Sequence, residues 1–218
     1  MERFIMQDLI AWKNREDRKP LILLGARQVG KTYILKEFGQ REFENLAYIN
    51  CDNNAMAKDL FASDYNIDRI LLTIGAITGV NIEAGKTLII MDEIQELNRG
   101  LASLKYFCEN AREYHVAVAG SLLGLALHQG ESYPVGKVNT LEMYPMTFEE
   151  FLWARGFKQR MDLLQHGMWD VVKSLRTLYI QHLREYYLVG GMPEAVNKFI
   201  ETNDANAVRE VQEEIIRA

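Results

Sequence analysis

Residues 25–32 read Gly-Ala-Arg-Gln-Val-Gly-Lys-Thr, and no other stretch narrows the possible folds as much. The run fits the pattern G-x-x-x-x-G-K-[ST] at every fixed position. A short apolar segment, Leu21 to Leu24, precedes it, and a stretch with Ile34, Leu35 and Phe38 at helical spacing follows. Such a chain passes from strand to helix through a loop of nearly bare backbone. The glycines let the loop curl, so that successive N–H groups converge on an anion. The following helix N-terminus adds its positive dipole end. Lys31 supplies a mobile charge for the outer phosphates of a nucleotide, and Thr32 a hydroxyl oxygen for Mg²⁺.

Five short apolar runs read as strands: Leu21–Leu24, Leu46–Asn50, Thr87–Met91, Val116–Ala119 and Val138–Met143. Helical patterns lie between most of them. Ile5, Leu9 and Trp12 mark one helix. Ile67, Ile70, Leu71, Ile74 and Ile77 mark a second, and Leu101, Leu104, Cys108 and Ala111 a third. Strands alternating with helices predict a parallel sheet covered on both faces. After residue 146 the strand signals stop. Thr147-Phe148-Glu149-Glu150 reads as a capping box. A long helical stripe follows through Val171, Leu175, Leu178, His182 and Tyr186. Gly190-Gly191 ends it, and Pro193 suits the first turn of the next helix. The expected organisation is an α/β core over 1–146 and a helical lid over 147–218.

The Thr87–Met91 strand runs into Asp92 and Glu93. At a strand tip beside the phosphate loop, Asp92 is placed to hold Mg²⁺, through water, and Glu93 to polarise an attacking water. Glu93 favours hydrolysis over transfer to an acceptor hydroxyl, and no [NT]-K-x-D guanine-reading motif occurs. The fourth strand ends in Gly120-Ser121. Ligands of doubly wound sheets sit at the carboxyl ends of strands, so Ser121 is placed to sense the outer phosphate, or simply to make a turn.

Composition closes off other classes. In 218 residues there are two cysteines, which excludes a disulfide scaffold; both read as buried small hydrophobes. The four histidines lack metal-ligand spacing, and His182 reads as a hydrogen-bonded core residue. The net charge of −5 excludes a globally basic nucleic-acid coat but not a local patch. The mixed run Lys13–Lys19 reads as a solvated helix end. No signal peptide or membrane-length apolar stretch occurs, so the default location is the cytoplasm, with no membrane partner.

Several segments in order carry a family resemblance. They are Gly25 to Thr32, Met91-Asp92-Glu93-Ile94-Gln95, Gly120-Ser121, Tyr144 to Leu152 and Gly190-Gly191-Met192-Pro193-Glu194. Together they resemble the AAA-type ATP-binding proteins of bacteria and archaea, close to the archaeal ATPase group. The resemblance implies a P-loop NTPase sandwich with parallel strand order 5-1-4-3-2, followed by the helical lid. It implies ATP and Mg²⁺ as cofactors. The nucleotide-contacting set would be Gly25, Ala26, Arg27, Gln28, Val29, Gly30, Lys31, Thr32 and Tyr33, with Gly191 and Pro193 in an element that closes over the adenine. Thr32 and Asp92 would hold the metal, and Glu93, Lys31 and Ser121 would serve catalysis. Departures occur: Ala119 and Leu122 stand where the family often has threonine and serine, and Lys137 replaces a common arginine. Relatives carry a further C-terminal domain, so this chain is expected to be the ATPase portion of a longer protein.

The leading expectation is therefore Mg²⁺-dependent ATP hydrolysis that moves an attached domain. One alternative is a nucleotide-gated switch or scaffold with negligible turnover. Another is the ATPase part of a nucleic-acid-processing protein. A homo-oligomer, and a nucleic acid or protein partner met through a further domain, are the partners to be expected beyond ATP.

Overall fold

The structure is a computed structural model that describes residues 1–52, 54–58, 60–61, 64–97, 99–120 and 134–217. Five parallel strands form one sheet: β1 Leu21–Leu24, β2 Asn45–Asn50, β3 Thr87–Asp92, β4 His115–Ala119 and β5 Asn139–Glu142. Their spatial order is β2-β3-β4-β1-β5, every pairing parallel, which is the order 5-1-4-3-2. Every residue of β3 and β4 is buried, as befits central strands of a sheet covered on both faces, whereas edge strand β5 alternates with solvent.

Alternation along the strands assigns the two faces. Ala47, Ile49, Ile89, Met91, Val116 and Val118 join a core with Ile70 and Ile74 of α4 (Ile67–Thr78) and Leu101, Leu104 and Phe107 of α5 (Gly100–Asn110). The neighbours one residue away, Leu46 and Leu88, meet α2 (Lys31–Glu42) at Gly39, where a Cβ would press into the Leu46 side chain. Helix α1 (Ile5–Lys13) packs beside α2, with Trp12 against Phe38. A short helix α3, Ala55–Lys58, follows β2.

The chain divides into two compact units, Ile5–Met143 and Met1–Phe4 with Tyr144–Ala218. The second is all helical beyond its N-terminal strip: α6 Phe148–Ala154, α7 Lys158–Gln165, α8 Trp169–Ser174, α9 Arg176–Val189, α10 Pro193–Thr202 and α11 Ala205–Arg217. The capping box at Thr147 is present, with the Thr147 hydroxyl accepting from the Glu150 amide and the Glu150 carboxylate from the Thr147 amide. Glu150 is buried, and it also accepts from the Phe4 amide at 2.7 Å and faces Arg3 at 3.1 Å.

The single long stripe expected through Val171 to Tyr186 is two helices. Ser174 turns its hydroxyl onto the Val171 carbonyl at 2.7 Å, a local bond that competes with the helical ladder, and α8 ends there. Val171 and Leu175 are accordingly exposed, and α9 carries the buried Tyr179, His182 and Val189. His182 is the hydrogen-bonded core residue expected, held between Arg160 at 2.6 Å and Glu185 at 2.9 Å.

Candidate functional site

The site grows from the carboxyl end of β1. Gly25 leaves the strand at φ 149°, and a Cβ there would collide with the Met143 carbonyl oxygen, so only glycine fits. Gln28 takes the left-handed region at φ 62° and Gly30 at φ 97°. Val29 is buried and anchors the loop, while Ala26, Arg27 and Gln28 face solvent. Gly30 begins α2 without any side-chain cap, so the first helical N–H groups are left facing the loop. Tyr33, one turn in, is exposed.

Lys31 is 7% exposed, and its Nζ folds back to donate to the Gly25 carbonyl at 2.8 Å and the Ala26 carbonyl at 2.7 Å. Burial pulls its ammonium below the usual lysine value. Glu93 and Asp92 pull it back up, and Arg27 presses it down again. Lys31 therefore lies within electrostatic reach of both carboxylates and of the loop arginine.

Asp92 ends β3 at 6% exposure, its place fixed by ladder pairing to Asn50 on one side and Ala119 on the other. The Thr32 hydroxyl donates to its Oδ2 at 2.5 Å, the length typical of a hydroxyl on an ionised carboxylate. The Tyr48 hydroxyl reaches the same oxygen at 3.2 Å. Burial and the Asp92 charge push the Tyr48 phenol up to about 12, and Lys36 Nζ rests 3.5 Å from its ring centre. The Cys51 amide donates to the Asp92 carbonyl at 2.9 Å. Burial, then Asp92 and Glu93, push the Cys51 thiol up to about 12, which leaves it an inert small hydrophobe.

Glu93 follows in the left-handed region at φ 51°, a conformation unfavourable for a residue with a Cβ. It opens a 3₁₀ turn, Ile94–Glu96, and Gln95 Nε2 donates to its Oε2 at 2.5 Å. The structure thus brings Gly25 to Thr32, Asp92 and Glu93 together in one unit. Gly191 and Pro193 belong to the helical unit, where the Gly191 carbonyl accepts from the Met146 amide at 2.7 Å and Pro193 opens α10. Ser121 lies outside the described residues. Lys137 pairs with Glu109 at 2.8 Å.

Sequence reading missed Tyr48 and Gln95 as members of this cluster. Tyr48 lies two residues before the strand end, on the same face as Asn50, and only the register that pairs Asn50 with Asp92 brings it to that carboxylate.

Comparison with known proteins shows the family. A family model described as an AAA domain matches residues 17–152. The chain belongs to the AAA domain family. Membership confirms the family resemblance carried by the phosphate loop and the Asp92-Glu93-Ile94-Gln95 run. Uncharacterized protein MJ1637 of Methanocaldococcus jannaschii is 26% identical over a 204-residue alignment that covers 83% of this chain. The chain spans 39% of that relative's length. Among solved structures, the Orc1 protein of Aeropyrum pernix in complex with DNA is similar over 97% of this chain and 63% of its own, at 16% identity and TM-score 0.46. The RuvB Holliday junction branch migration motor of Thermotoga maritima is similar over 98% and 69%, at 16% identity and TM-score 0.48. Cdc6p of Pyrobaculum aerophilum shares 13% identity over 67% of this chain and 46% of its own, at TM-score 0.42. Among the described residues, no helix is long and apolar enough to cross a membrane.

Proposed function

We propose that this chain binds ATP with Mg²⁺ and hydrolyses it, and that the cycle drives movement of an attached domain. The observation that carries the reading is the Thr32 hydroxyl on the Asp92 carboxylate at 2.5 Å, beneath a phosphate loop whose lysine is already turned into it. The donor set suits the ligands. A loop of exposed backbone, an uncapped helix start and a lysine held on loop carbonyls fit a polyphosphate. A hydroxyl beside a buried carboxylate is hard oxygen chemistry, which fits Mg²⁺. Bound there, Mg²⁺ would neutralise charge on the outer phosphates. Lys31 would leave the Gly25 and Ala26 carbonyls for the phosphate oxygens. Thr32 and Asp92 would hold the metal, and Glu93 would orient and polarise the attacking water. The sensor role of Ser121 and the adenine-covering role of Gly191 and Pro193 rest on the family resemblance alone.

The test is phosphate release beside nucleotide binding. Lys31→Ala is expected to lose nucleotide binding. Glu93→Gln is expected to keep binding and to lose hydrolysis by about a hundredfold or more. Unchanged binding in Lys31→Ala would remove the site. Tight binding with no turnover in the wild type would replace the enzyme reading with a nucleotide-gated switch.

A further inference from the structure

Gln95 lies two residues past Glu93, and its Nε2 donates to Glu93 Oε2 at 2.5 Å. Its Oε1 is buried and has no hydrogen-bond partner among the described residues. A side-chain amide can be turned over, exchanging its oxygen and nitrogen. Here the exchange would set Oε1 against a carboxylate oxygen, two acceptors with no proton between them. The nitrogen has to face Glu93, and the orphaned oxygen is the consequence. Leaving a buried acceptor without a donor is unfavourable, so the contact with Glu93 dominates the placement of this side chain.

The backbone is arranged around the same contact. Glu93 is left-handed, and the 3₁₀ turn after it brings residue 95 back over residue 93. A helical continuation would carry the two side chains to different faces. The Glu93 carboxylate lies within electrostatic reach of the Lys31 ammonium, so the contact with Gln95 is made beside the phosphate loop.

We propose that Gln95 is a positioning residue for hydrolysis: its amide holds the Glu93 carboxylate in one orientation, set to accept a hydrogen bond from the attacking water. The inference rests on the role given to Glu93 above. A charge-assisted bond from a neutral donor suits that task. It fixes the carboxylate without forming an ion pair with it, as a lysine or arginine would.

The experiment compares wild type, Gln95→Met, Gln95→Ala and Glu93→Gln for Mg²⁺-dependent phosphate release and for nucleotide binding. Gln95→Met keeps the size of the side chain and removes the donor. Its kcat is expected to fall about tenfold to a hundredfold, with nucleotide affinity within about threefold of wild type. Gln95→Ala removes the same donor with a smaller side chain and is expected to show the same split, so this arm decides the matter if Gln95→Met does not fold. Placed in the Glu93→Gln background, either change is expected to cost nothing further, because Gln95 acts through Glu93. A merely structural role would lower both backgrounds alike. An unchanged or raised kcat in the Gln95 variants, or an equal further loss in the Glu93→Gln background, overturns the inference while a dead Glu93→Gln leaves the proposed function standing. Full hydrolysis in Glu93→Gln overturns both.

Discussion

Asp92 accepts hydroxyl donors from Thr32 on the phosphate-loop helix and Tyr48 on β2, and its own backbone accepts from Cys51. A carboxylate held in this way would cost little reorganisation on binding the proposed cation. Tyr48 reports on that carboxylate directly. Its phenol is pushed up to about 12 by burial first and then by the Asp92 charge, so it should stay protonated through the range where an ordinary tyrosine ionises. The sign follows: a folded-state value above the unfolded one adds stability below about pH 10, and that contribution is lost as pH rises through about 12. Alkaline difference absorption should place Tyr48 among the late-titrating tyrosines, with Tyr179 and Tyr186, and Asp92→Asn should move its step alone earlier. An unmoved titration would disconnect the two residues. Lys31, Thr32, Asp92 and Glu93 were legible as sequence because each sits at a fixed offset from a glycine or a strand end. Tyr48 and Gln95 were not, because one reaches Asp92 through strand register and the other through a left-handed backbone at Glu93. Neither is visible as spacing.

Elements follow local rules where the partner is nearby in sequence. Gly30 and the uncapped start of α2, the Asn66 cap of α4 and the Thr147 box all arise within four residues of their partners. The box has a further duty that no local rule contains. Glu150 is buried against Arg3 and the Phe4 amide, so it ties the N-terminal strip to α6. Glu150→Ala should destabilise by about 3 kcal/mol in urea unfolding, beyond the ~1 kcal/mol of a lost cap, because it leaves the buried Arg3 without its carboxylate. A loss of cap size alone would mean that Arg3 finds compensation. His115 shows the same dependence on distant elements. It begins β4 but packs between Trp12 of α1 and Phe43 after α2, ring centres 6.0 and 4.8 Å away. Burial, helped by Arg18, drives its imidazole down to about 4. The depressed value means that stability is complete above about pH 6.5 and falls as pH drops from there to about 4, by about 3 kcal/mol in all. His115→Phe should flatten that part of the pH–stability curve, and an unchanged slope would assign the acid sensitivity elsewhere. The charged run before β1 also gains partners from afar: Lys19 Nζ donates to the Gly136 carbonyl at 2.7 Å, and Arg18 to the Arg112 carbonyl. The solvated helix end expected there is in part a set of ties to other loops.

At the scale of the molecule, the helical unit is built from both ends of the chain, Met1–Phe4 and Tyr144–Ala218, and the sheet unit from the continuous stretch between them. Deleting Met1–Phe4 should therefore lower hydrogen-exchange protection in the helices after Tyr144 while leaving β3 and β4 protected. Equal loss in β3 and β4 would show that the strip serves the sheet as well. The sequence by itself determined the parallel sheet, the phosphate loop, the two carboxylates at the tip of β3 and the change to helices after residue 146. All of these depend on periodicity, glycine placement and charge within a few residues of one another. Only the tertiary structure decided which hydroxyls reach Asp92, what holds Glu93, where the long stripe breaks at Ser174 and that the first four residues join the last seventy-five. Those outcomes depend on ladder register, left-handed backbone and buried charge pairing across more than a hundred residues. Pattern within a window carries no record of the distant pairings, because the energy that selects them appears only when those segments meet, and the local bonds at Ser174 and Gln95 depend on backbone geometry that periodicity does not specify.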